Sequence, residues 1–192
     1  FDANNFDYGN LASAGDVDGD GKGDILNSYP GIGSGEVYLV FGNELEETET
    51  DIWDLDYDGR TKILGGQILG DAFGASSISS AGDIDNDGLD DIFITSEYNS
   101  YNSQLENDPG RYSAGDHGLM DYSTGDPTGQ IHLIFGSYLS QNKGSLINID
   151  DLEDGQFIEF YSSNVDLGGG IYDGPETSNI GDFNGDGYND IA

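Results

Sequence analysis

The chain has 192 residues, 38 acidic against 5 basic side chains, a formal net charge of −33 and no cysteine. So acidic a surface repels nucleic acid and anionic membranes, and the lack of cysteine excludes a disulfide framework and thiol chemistry. No apolar run approaches the ~18 residues of a membrane span, while 12 Tyr, 9 Phe and strand-like runs of Ile and Leu argue for a folded β protein over a disordered one.

The chain opens at Phe1, inside a repeat, with Tyr8-Gly9 leading to Ser13-Ala-Gly-Asp16. There the first of three nine-residue loops begins: Asp16-Val-Asp18-Gly-Asp20-Gly-Lys22-Gly-Asp24. Oxygen side chains stand at positions 1, 3, 5 and 9, with glycine at 6. A hard cation such as Ca2+ takes six to eight oxygens at about 2.3–2.6 Å. Alternating Asp on a tight turn can aim three side chains at one centre. The glycine lets the chain swing back, so that the carbonyl of position 7 (Lys22) and the carboxylate of position 9 close the cage. The loop is no EF-hand: position 12 is Asn27 rather than Glu, and the flanks read as strands rather than helices.

Downstream, Gly35-Glu-Val-Tyr-Leu-Val-Phe-Gly42 alternates as a strand, with Val37, Leu39 and Phe41 set against Glu36, Tyr38 and Val40. Asp54-Leu-Asp56-Tyr-Asp58-Gly59 spells the start of another loop, but its position 9 is Lys62, and a plain turn is expected. A further strand is expected near Lys62-Ile-Leu.

The second unit repeats this order. Phe73-Gly-Ala-Ser-Ser-Ile-Ser-Ser-Ala-Gly leads to Asp83-Ile-Asp85-Asn-Asp87-Gly-Leu89-Asp-Asp91, and Asp-Ile-Phe-Ile-Thr95 runs out of it as a strand. Here Asp83, Asp85, Asp87 and Asp91 are the side-chain ligands and Leu89 the carbonyl. A Tyr-rich insert at about 97–128 follows, expected as a solvated loop or, more sharply, a binding loop. His117 lies within it without a partner cluster for zinc. Gly129-Gln-Ile-His-Leu-Ile-Phe-Gly136 then matches the earlier Val-Phe-Gly strand, aligning His132 with Tyr38 as a packing residue. The last strand of the unit is expected at Phe157-Ile-Glu-Phe160. The third loop, Asp182-Phe-Asn184-Gly-Asp186-Gly-Tyr188-Asn-Asp190, offers Asp182, Asn184, Asp186, Asp190 and the Tyr188 carbonyl.

The loops start 67 and 99 residues apart, the excess lying mainly in the insert. Four strands in a repeat of roughly 60 residues are the signature of a propeller blade, which buries its faces only against its neighbours. The expected organisation is a first blade over 1–72, a second over 73–166 and the start of a third over 167–192. Propellers have about four to eight blades, so the chain is expected to be part of a longer protein rather than a subunit completed by its copies.

Phe73-Gly74, Ser80-Ala-Gly-Asp83, the three loops and the two Phe-Gly strands together resemble the FG-GAP repeats of integrin α-subunit heads and their bacterial and archaeal relatives. The family's Gly-Ala-Pro element is degraded, to Asn27-Ser-Tyr-Pro30 and Thr95-Ser-Glu-Tyr98. The resemblance covers nearly the whole chain outside the insert. It implies an all-β, seven-bladed propeller with three structural calcium ions in hairpin loops on one face. The family's ligand-level function does not carry over.

The function expected on these grounds is an extracellular, calcium-stabilised module for adhesion or protein interaction, with an unknown protein or glycan ligand. No nucleophile elbow, Ser-His-Asp order or phosphate-cradling loop is visible, and no enzyme is expected. The alternatives are a carbohydrate-binding or catalytic propeller of a secreted enzyme, and a structural repeat that self-associates through open strand edges.

Overall fold

Alternating β-branched and aromatic residues, punctuated by glycine, build nearly all of the regular structure. A computed structural model describes residues 9–29, 35–44, 60–65, 73–99, 128–161 and 177–191. The first sheet contains β1 (Leu11–Gly15), β2 (Asp24–Tyr29), β3 (Glu36–Val40) and β4 (Thr61–Leu64), each antiparallel to the next. The second contains β5 (Phe73–Gly82), β6 (Asp91–Asn99), β7 (Thr128–Ile134) and β9 (Phe157–Tyr161), again all antiparallel. A last hairpin pairs β10 (Asn179–Gly181) with β11 (Asp190–Ile191). The four segments expected as strands in each unit are therefore strands, laid side by side in chain order.

Two elements depart from that expectation. A short helix, α1 (Gly136–Gln141), follows β7, and β8 (Leu146–Asn148) then joins β4 as a parallel fifth strand. The first sheet is thus five-stranded, not four, and one of its strands comes from the second unit. The pairing is made by Lys62↔Leu146, Ile63↔Ile147 and Leu64↔Asn148.

Register decides the core. Leu26, Leu39, Val37 and Ile63 share one face of the first sheet. Ile78, Ile94, Ile92 and Ile134 share one face of the second. These faces meet in a common buried core that also holds Phe41, Phe73, Leu139 and Ile147. The other face of the first sheet is partly covered: buried Tyr38 donates to Glu36 (2.7 Å), and Lys62 pairs with the same carboxylate at 2.7 Å.

Gly74 marks a close approach of the two sheets. Its φ is +78°, and a Cβ there would lie 2.9 Å from both Ser28 Cβ and Val37 Cγ2. In the space left by the missing side chain, Ser28 Oγ (2.9 Å) and Asn10 Nδ2 (3.1 Å) donate to the Gly74 carbonyl. The Phe-Gly pair therefore has a physical role here: Phe73 fills the core, and Gly74 lets the sheets touch.

Among the described residues the sheets do not close into a barrel or a ring. With one four-strand unit spread over 11–64 and the next over 73–161, 192 residues cannot by themselves supply the seven blades implied by the family resemblance. The Asp54–Gly59 turn, His117 and the Tyr-rich insert, apart from its ends in β6 and β7, lie outside the described residues.

Candidate metal centres

Each loop is wound by the same short-range hydrogen bonds, made by aspartate or asparagine side chains to amides a few residues ahead. The carboxylate of position 1 takes the amides of positions 5 and 6: Asp16 from Asp20 (3.1 Å) and Gly21 (3.0 Å), Asp83 from Asp87 and Gly88 (both 2.9 Å), and Asp182 from Asp186 (3.0 Å) and Gly187 (2.9 Å). Position 3 takes the amide of position 5 as well, at 3.1 Å for Asp18, 3.2 Å for Asp85 and 2.9 Å for Asn184. Position 5 takes the amide of position 7: Asp20 from Lys22, Asp87 from Leu89, Asp186 from Tyr188. That winding needs left-handed backbone at positions 4 and 6. Gly19, Asn86 and Gly185 supply the former; Gly21, Gly88 and Gly187 the latter.

Position 9 ties the loop to the sheet. In the first loop, Asp24 accepts from Val17 N–H (2.8 Å) and from Gly42 N–H (2.7 Å), the glycine that ends the Val-Phe-Gly strand. In the second, Asp91 accepts from Ile84 N–H and Gly136 N–H, both at 2.8 Å. Both carboxylates are fully buried. Burial pushes Asp24 upward, against the pull of its two amide donors. Asp91 is pushed up to about 7, first by burial and then by Asp85 and Asp87, while the Gly136 and Ile84 amides oppose the rise. Burial and neighbouring carboxylates both disfavour the charged form.

The geometry gathers Asp16, Asp18 and Asp24 into one cluster and Asp83, Asp85 and Asp91 into another. Within each, one oxygen from every residue lies within 4.8 Å of the others. Two ligands of one calcium ion, each at about 2.4 Å, stand at most about 4.8 Å apart. Each cluster could therefore hold a metal ion, with three hard oxygens already converging. Asp20 and Asp87, expected as ligands, lie outside the clusters and are engaged with the amides of Lys22 and Leu89. For Lys22, Leu89 and Tyr188, expected to offer carbonyls, the observed contact is the amide.

The third loop keeps the winding but forms no such carboxylate cluster. Asn184 replaces the second carboxylate, and its Nδ2 lies 3.4 Å from Asp190 Oδ1, the oxygen corresponding to those that meet Gly42 and Gly136 in the other loops. Asp190 Oδ2 still accepts from Phe183 N–H at 2.8 Å.

Three features escaped sequence reasoning. Lys143, in the turn after α1, pairs with Asp18 Oδ2 and lies 4.5 Å from the centroid of the Phe41 ring. Position 8 of the second and third loops, Asp90 and Asn189, reaches back to the preceding loop: Asp90 Oδ2 to the Asp16 amide (2.8 Å), Asn189 Nδ2 to the Asp83 carbonyl (3.4 Å). The third is a buried polar cluster absent from any sequence motif. Ser96 Oγ lies 3.3 Å from His132 Nε2, and His132 Nδ1 lies 3.3 Å from Glu159 Oε1. His132 does pack, against Phe73 at 5.4 Å between ring centroids, but it also links three strands by polar contacts. Ser96 is only 2 % exposed, so its hydroxyl is held inside the sheet packing rather than offered to solvent.

Among the described residues no helix is long and apolar enough to cross a membrane. Compared with known proteins, the chain matches no protein-family model and no curated protein.

Proposed function

We propose that this chain is a segment of a calcium-stabilised β-propeller of the FG-GAP type, each sheet a blade, acting outside the cell as an adhesion or interaction module. Calcium has a structural role here: it neutralises the loop carboxylates, pins each hairpin and stiffens the face from which other loops meet a protein or glycan. The observation that carries this is the pair of clusters in which a fully buried carboxylate, Asp24 or Asp91, stands beside two further carboxylates. Without a cation, that arrangement opposes folding; with one, it drives folding. Calcium is favoured over magnesium because an all-protein oxygen cage suits the larger ion, whereas magnesium keeps its waters.

The test is a calcium titration by calorimetry on the whole chain, paired with thermal melts in chelator and in calcium. Extracellular calcium modules bind with Kd of about 10⁻⁴–10⁻³ M. At a hundredfold excess over Kd each site adds about 2.7 kcal/mol. Two sites then raise the midpoint by roughly 10–20 °C in a chain of this size. Equal midpoints in chelator and calcium, with no binding heat, would overturn the proposal.

A further inference from the structure

Position 8 of the loop has no part in the proposed cage, yet its contacts recur. Asp90 makes two hydrogen bonds to Asp16: its amide donates to the Asp16 carbonyl (3.0 Å), and its Oδ2 accepts from the Asp16 amide (2.8 Å). Asp16 is the first ligand position of the preceding loop. Asn189 in turn donates to the carbonyl of Asp83, the first ligand position of the loop before it. Both contacts need the glycine that precedes the loop. A Cβ on Gly15 would lie 2.6 Å from Asp90 Cγ, and one on Gly82 would lie 2.5 Å from Asn189 Nδ2. Glycine stands at these positions as the seat for the next loop's side chain, as well as for its positive φ.

We propose that Asp90 is a positioning residue for the first cation site and couples it to the second, so that filling the second loop raises the affinity of the first. This rests on the calcium reading above. Asp90 directly precedes Asp91, one of the three clustered carboxylates of the second loop. A cation there restrains Asp90, and Asp90 holds the backbone of Asp16 by its amide and its carbonyl. Ordering entropy that the first site would otherwise lose on binding has then already been lost. An opposing effect acts through space: a divalent ion in one loop weakens the negative potential that draws an ion to the other. That effect persists without the hydrogen bonds, so changing Asp90 separates the two.

The experiment follows the backbone amides of Gly21 and Gly88 by NMR as calcium chloride is added to the chelator-stripped chain, giving a separate affinity for each loop. The second loop is left intact or disabled by Asp85→Ala, which removes one of its three clustered oxygens. With Asp90 present, the first loop should bind about fivefold more tightly when the second is intact, the low end of measured couplings. Asp90→Ala and Asp90→Ser, the latter one bond too short to reach Asp16, remove the side-chain bond and leave only the Asp90 N–H bond to the Asp16 carbonyl, so both should lower that ratio. Asp90→Asn retains an acceptor oxygen and should preserve it. The ratio undiminished in whichever of the Ala and Ser variants folds would overturn the proposal, as would its absence from the unaltered chain. If neither glycine amide responds to calcium, the metal reading itself has failed, a distinct result.

Discussion

Gly15→Ala and Gly21→Ala change the same atoms in the same loop and should differ sharply in effect. Both residues have left-handed backbone, φ +82° and +85°. An L side chain in that region costs about 1–2 kcal/mol. For Gly21 there the matter ends, since a Cβ meets nothing within 4 Å. For Gly15 the new Cβ falls 2.6 Å from Asp90 Cγ and 2.7 Å from Asp90 Cβ. A rotation of the Asp90 side chain cannot relieve the second contact, because Asp90 Cβ is fixed to the backbone. The loops must separate, and the Asp16 amide loses its acceptor. An orphaned, partly buried donor adds about 1–3 kcal/mol. Gly15→Ala should thus cost about 2–5 kcal/mol against about 1–2 for Gly21→Ala. At about 2–4 °C per kcal/mol for this chain length, the melting midpoint should fall by roughly 4–20 °C and 2–8 °C respectively. Circular dichroism melts in millimolar calcium and in chelator measure both. In an Asp90→Gly background, Gly15→Ala should cost only the about 1–2 kcal/mol of its left-handed backbone. Equal losses for the two alanines would refute the claim that Gly15 seats the neighbouring loop.

Further outcomes are expected. In chelator, stability should fall as pH rises from 4 to 7: folded Asp91, with its pKa at about 7 against 3.8 when unfolded, holds a proton that the unfolded chain has released. The loss is on the order of 4 kcal/mol, Asp24 acts in the same direction, and urea titrations that are flat between pH 5 and 7 would contradict it. Calcium binding should release protons below pH 7, so its apparent affinity should climb with pH and level off above, as calorimetry in buffers of different ionisation heat can check. Removing the cation that rests on Asp18, by Lys143→Met, should tighten calcium at the first loop about fivefold, or about 1 kcal/mol, the upper end for an ion pair whose lysine is exposed, the Asp18 side chain being buried; weaker binding would mean instead that Lys143 orients Asp18 for the metal. Phe73→Ala should cost about 3–5 kcal/mol, because Phe73 is wholly buried where the sheets meet; a loss below about 1 kcal/mol in a denaturant melt would count against face-to-face packing there.

The legible parts of the fold were those with local causes. Asp and Gly at fixed offsets dictate the loop winding, and alternating runs such as Asp91-Ile-Phe-Ile or Glu36-Val-Tyr-Leu-Val dictate the strands beside it. The parallel strand β8 was not legible. It has three residues, only Ile147 among them is buried, and its partner lies more than eighty residues earlier. Helix α1 has six residues and no side-chain cap to announce it. In the candidate sites, positions 1, 3 and 9 were readable from spacing, whereas the amides of Gly42 and Gly136 that hold Asp24 and Asp91 lie just past the ends of β3 and β7. The Ser96–His132–Glu159 cluster exists only through register: His132 sits opposite Ile94 and Glu159, and Ser96 lies one diagonal away, opposite Gln130.

Charge limits what the proposed module can meet, even when loaded. The three loops contain 12 of the 38 acidic residues: four in the first, five in the second, counting Asp90, and three in the third. Three divalent ions would add six charges and move the net charge from −33 only to −27. Calcium therefore relieves the crowding within each loop without making the surface neutral. Surface repulsion between like-charged molecules is screened over about 8 Å at physiological salt, so short contacts remain open to a partner while long-range approach stays selective. A partner that docks here has basic groups, or is uncharged and held by the tyrosines and backbone of the loops, or shares a calcium ion with them. These three differ in salt response. Association with a basic partner weakens steeply as salt rises. An uncharged glycan is nearly indifferent to salt, and a shared ion makes binding keep rising with calcium above the concentration that saturates the fold. A salt series crossed with a calcium series above that concentration thus sorts the partner's chemistry before the partner is known.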